Sequence, residues 1–77
     1  MTSDVLHERL LAQLANEEQR LSGWRALRYE LMAMLADNDN YSNDQAALVR
    51  LLKIVGKCIV ELEIAIVNTK RRIAHPL

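Results

Sequence analysis

The stretch "DNDNYSND", residues 37–44, is the one clear interruption in a chain of 77 residues. Asn and Asp side chains hydrogen-bond their own backbone and tolerate left-handed conformations, so such a cluster favours a turn. Glycine occurs twice and proline once, at Pro76. With so few breakers, each half of the chain is free to form one long element.

The spacing of apolar residues makes both elements helices. In the first half, Leu6, Leu10, Leu14, Leu21, Trp24, Leu31 and Leu35 recur at intervals of three, four or seven, one stripe of a helix. This predicts a helix over about 4–36, with Ser3 as N-cap and Asp4 at the positive end of the dipole. Gly23 weakens it by about 1 kcal/mol relative to alanine. Asn38 is suited to close the helix in a left-handed conformation. Ser42 and Gln45 then form an S-x-x-Q capping box, which satisfies two free amide donors and opens a second helix over about 43–73. Its stripe is Leu48, Leu51, Leu52, Val55, Ile59, Leu62, Ile66 and Ile73. The segment "VELEI" alternates as a strand does and is rich in β-branched residues, but its flanks keep helical spacing and no second strand exists to pair with it. Lys70, Arg71 and Arg72 fall where cations meet the negative end of the dipole. The expected fold is all-α: a single-domain antiparallel two-helix hairpin over 1–77, coiled-coil-like, with the turn at 37–42. A core this thin calls for completion by a partner or by homodimerisation.

Composition excludes several classes of function. Ten basic residues balance ten acidic ones, whereas a nucleic-acid binder normally carries a basic excess. An apolar fraction of 51% is too high for a disordered chain. Cys58 is alone, so no internal disulfide forms, and His7 and His75 are too far apart to make a metal-ligand pattern. The opening "MTSDVLHERLL" has an acid where a signal peptide carries a basic cluster. The apolar window Ile54–Val67 is too short and too charged to span a membrane. The expectation is a soluble, cytoplasmic protein that binds neither nucleic acid nor membrane.

That window, "IVGKCIVELEIAIV", divides on a helical wheel. Ile54, Val55, Cys58, Ile59, Leu62, Ala65 and Ile66 fall within an arc of about 140°, which faces helix one. Val60, Ile64 and Val67 form a second stripe, separated from the first by Gly56 and Glu63 on one side and by Lys57 and Glu61 on the other. A hairpin covers one arc and not both. Leu11 and Tyr29 likewise stand off the stripe of helix one. Exposed apolar patches of more than a few hundred Å² mark interaction surfaces, so this hairpin is expected to dock onto something.

No catalytic arrangement accompanies this pattern. Glu61 and Glu63 are two apart on a helix and point in different directions. Cys58 has no His or Asp constellation to activate it and reads as a small core residue. Trp24 reads as a core or interface anchor. No nucleophile, base or phosphate loop is visible, so neither an enzyme nor a cofactor site is expected.

The first helix carries "LHERLLAQLANEE" and then "WRALRYEL". A polar Asn/Asp turn with a Tyr follows, and the second helix carries "LVRLLKIVGKCIVELEIAI". In this layout nearly the whole chain resembles the small two-helix co-chaperones of bacterial type III secretion needle chaperones, especially those of intracellular-survival systems in enteric bacteria. The resemblance implies a hairpin that partners a helical-repeat chaperone, the pair holding the needle subunit soluble and monomeric in the cytoplasm. Leu6, Leu10, Leu14, Leu21 and Trp24 are the expected contacts on helix one, with Val60, Ile64 and Val67 as the alternative protein-binding patch on helix two. A second reading makes the chain a homodimeric four-helix-bundle module with a structural or regulatory role.

Overall fold

A computed structural model of the chain describes residues 2–37 and 42–75. It contains two helices, α1 (Thr2–Ala36) and α2 (Ser42–Ala74), and no strand among the described residues. They pack side by side along their length as a hairpin, giving a rod with extents of 60 × 14 × 13 Å. The all-α, two-helix reading of the sequence therefore holds.

Helix boundaries lie within two residues of those expected, as end assignments usually do. α1 begins at Thr2, so Ser3 lies inside the helix and not at its cap. The last turns of both helices are closed by ordinary bonds: Asp37 N–H donates to the Ala33 carbonyl at 2.9 Å, and His75 N–H to the Arg71 carbonyl at 2.9 Å. The caps expected at Asn38 and from the Ser42 side chain lie outside the described residues.

The core is one seam between the helices. Leu21 and Leu31 of α1 and Leu48, Val55, Ile59, Leu62 and Ile66 of α2 are buried together, with Leu14, Trp24, Leu35 and Leu52 packed against them. On both helices the seam positions alternate three and four apart. On α1 the line runs Leu10, Leu14, Glu17, Leu21, Trp24, Arg28, Leu31, Leu35, and only Arg28 on it is exposed. On α2 it runs Leu48, Leu52, Val55, Ile59, Leu62, Ile66, Thr69, Ile73. A sustained spacing of 3.5 is the heptad pattern of a coiled coil, which keeps two long helices in contact by a left-handed supercoil.

This repeat corrects the wheel reading at two positions. Ile54 and Leu51 were expected on the inner face of α2, yet Ile54 is 57% exposed and Leu51 is also exposed. A straight-helix wheel gathers both into the apolar arc. In the hairpin, Val55 and Leu52 occupy the seam, and Leu51 and Ile54 fall on its flank beside half-buried Cys58. The rest of the inner arc faces α1 as expected, with Val55, Ile59, Leu62 and Ile66 buried and Ala65 half-buried.

Candidate protein-docking surface

The hairpin settles which candidate residues are accessible. Leu10 and Leu21 are buried in the seam. Leu14 and Trp24 are half-buried against the same core. These four make the contact with α2. Leu6, one turn nearer the N-terminus, is exposed.

The second patch lies on the opposite side of α2. Val60, Ile64 and Val67 are 53%, 57% and 50% exposed. With Glu63, Asn68 and Arg71 they line a shallow apolar groove. Their spacing of four and three places them on one line, turned away from the seam residues Ile59, Leu62 and Ile66. About half of each of these aliphatic groups is left uncovered by the described residues. Burying one such side chain yields on the order of 1.5–3 kcal/mol, so leaving three in water forgoes energy that a docked surface would recover. Leu11 and Tyr29 on α1 are exposed too.

Glu63 borders the patch from the α1 side. Arg25 Nη2 donates to its Oε2 at 3.1 Å, an exposed ion pair between the helices. The pair turns Glu63 toward the hairpin and leaves the outer line of α2 to cations and aliphatics.

Sequence reasoning missed a polar contact inside the seam. Thr69 Oγ1 donates to Glu17 Oε1 at 2.7 Å. Gln13 Nε2 reaches both, at 3.3 Å to Glu17 Oε2 and 3.3 Å to Thr69 Oγ1. Glu17 and Thr69 are buried, and no described buried side-chain polar atom lacks a partner. Glu17 continues the heptad line of α1 and Thr69 that of α2; the 3.5 spacing was the one available signal for placing them in the seam. The arrangement satisfies a carboxylate with two neutral donors. Because its partners come from both helices, it holds them in register.

Other singled-out groups stand apart from both features. Cys58 is half-buried beside Trp24, Arg20 and Glu61. His7 and His75 are exposed at the same end of the rod. No group of three or more His, Cys, Asp or Glu among the described residues is placed to hold a metal ion. No described helix is long and apolar enough to cross a membrane.

No known protein family, curated protein or solved structure matches the chain. The functional reading therefore rests on the residues and on the surface they form.

Proposed function

We propose that this chain is a co-chaperone of the type III secretion kind. It acts in the cytoplasm by docking onto a helical-repeat chaperone, stabilising it and helping to keep the needle subunit soluble and monomeric. The observation that carries the reading is the exposed line Val60, Ile64 and Val67, set on the outer side of a helix whose inner side is fully engaged by α1.

The mode of binding follows from the geometry. An amphipathic helix lays its apolar face into a groove, anchored by residues at helical spacing. A chaperone built of helical repeats offers such grooves along a concave surface. The rigid seam of the hairpin presents the three anchors without a folding cost at the moment of binding. Leu6 extends the contact surface on α1, while Leu10, Leu14, Leu21 and Trp24 act through the seam that holds α2 in place.

Co-expression tests the reading. With a helical-repeat chaperone encoded beside it, the chain is expected to co-elute as a 1:1 complex on gel filtration, and Ile64→Asp to abolish the complex. Independent migration of the two wild-type proteins at micromolar concentration would overturn the proposal.

A further inference from the structure

α2 carries a second repeat on the side away from α1. Its seam line alternates steps of four and three from Leu48 to Ile73. The same alternation runs unbroken along the outer side, from Arg50, Lys53 and Lys57 through Val60, Ile64 and Val67 to Arg71. On a helix that follows a 3.5-residue repeat these two lines lie about 155° apart, nearly back to back. On a straight helix such a line drifts by ~20° per heptad, so a partner that winds with it, another helix, keeps contact over its whole length. α2 is thus built as a middle helix, with α1 on one side and a place for one more helix on the other.

The charge of the outer line is one-sided. Four cations stand on it, all exposed, and no acid. None of the four is in an ion pair with a described residue. Lys57 and Arg71 bracket the three aliphatics at a separation of about 21 Å, and Lys53 and Arg50 extend the line to about 32 Å. The nearest glutamates, Glu61 and Glu63, lie one on either flank, and Glu63 is bound to Arg25. The cation stripe is therefore one side chain wide.

We infer that the outer line of α2 takes one helix of a partner protein, and that this helix carries an apolar centre between carboxylates. This chemistry rests on the reading of Val60, Ile64 and Val67 as the docking line, and adds what faces it. Two partner carboxylates about two heptads apart meet Lys57 and Arg71, and further ones meet Lys53 and Arg50. Three cations lie on one side of the aliphatics and one on the other. The more acidic end of the partner helix therefore lies toward the Ser42 end of α2.

Other occupants match this line less well. An anionic lipid surface is flat, so it would meet Glu61 and Glu63 together with the cations, and the line has no aromatic anchor. A nucleic acid would set its phosphates against three aliphatic side chains at the centre of the line. The outer line of a second α2 would bring cation against cation, a like-charge contact that opposes binding. The outer line of a second α1, from Glu8 to Tyr29, holds one acid against four cations, and the line beside it sets Arg9 with Glu30. The line bordering the seam gathers Asp4, Glu8 and Glu18 but runs into Arg25; antiparallel, with Glu18 on Lys57, Arg25 falls on Arg50.

Three alanine-based helical peptides of about 25 residues, long enough to cover the line, test this against the full chain by fluorescence anisotropy. The first carries glutamates on either side of three leucines, all on one line in steps of three and four. The second has lysine in place of each glutamate. The third keeps the composition of the first and scatters the line. The first is expected to bind, more weakly as salt screens the pairs. The second and third should bind at least about tenfold more weakly. The triple reversal Lys53→Glu/Lys57→Glu/Arg71→Glu should keep its helicity and prefer the lysine peptide to the acidic one. Equal binding of the acidic peptide and either of the others would overturn the inference. So would an unchanged preference in the triple reversal, binding to phosphatidylserine vesicles without binding to the acidic peptide, or self-association of the wild-type chain that the triple reversal abolishes. The co-expressed helical-repeat chaperone separates the two levels. A complex lost in Ile64→Asp but kept in the triple reversal leaves the docking line standing and overturns its acidic partner. A complex kept in Ile64→Asp overturns the docking line itself.

Discussion

Thr69 donates its hydroxyl to Glu17 at 2.7 Å across an otherwise apolar seam. Thr69 is only 2% exposed, so neither partner has ready access to replacement water. Removing one partner strands the other, and a buried acceptor left unsatisfied costs roughly 1–3 kcal/mol. Thr69→Val is therefore expected to lower the free energy of unfolding, read from urea titration, by that amount. The double variant Glu17→Leu/Thr69→Val is expected to recover wild-type stability or exceed it, because a well-packed apolar pair often outperforms a buried polar one. A double variant less stable than either single variant would show that the contact stabilises the fold outright.

Inner and outer faces of α2 should respond differently to truncation. Ile59 is 2% exposed and lies within the core, so Ile59→Ala should cost about 2–5 kcal/mol in chemical denaturation. Ile64→Ala, on the outer line, should fall within about 0.5 kcal/mol of wild type. Equal losses would mean that Ile64 is packed in the free hairpin.

Both glycines lie in mid-helix, neither has a positive φ, and a Cβ at either would meet nothing within 4 Å. Gly56→Ala and Gly23→Ala should each stabilise the chain by about 0.5–1 kcal/mol, since alanine loses less backbone entropy in a helix. Thermal melts followed by circular dichroism read this directly, and a lower melting temperature for either variant would contradict the open space seen there.

The Arg25–Glu63 pair joins the helices at 3.1 Å but is about half exposed on both sides. Exposed pairs contribute roughly 0–1 kcal/mol and weaken with salt. Arg25→Ala should therefore destabilise only slightly, and the difference from wild type should vanish at high salt.

The division into two helices was legible because the Asn/Asp cluster at 37–44 stands between two long apolar stripes with almost no Gly or Pro. The exposure of Val60, Ile64 and Val67 was legible for a related reason: a helix bearing two apolar stripes shows one of them to water when it has one neighbour. Glu17, Gln13 and Thr69 were not legible, because polar residues at isolated positions read as surface until the partner helix is placed. Ile54 and Leu51 were misplaced because the wheel of a straight helix widens the buried arc, whereas two long helices meet along a narrower 3.5-residue repeat.

The central claim is that α2 has one face for the fold and another for a partner. Circular dichroism and light scattering on Leu62→Asp and Ile64→Asp, measured side by side, test it most directly. Leu62 is buried in the seam, and an unpaired charge there costs several kcal/mol, enough to unfold a marginal domain. Leu62→Asp is therefore expected to lose its helical signal. Ile64→Asp is expected to keep the helicity of the wild type and lose its complex with the co-expressed helical-repeat chaperone. Equal unfolding of the two variants, or an Ile64→Asp chain that still forms that complex, would contradict the account.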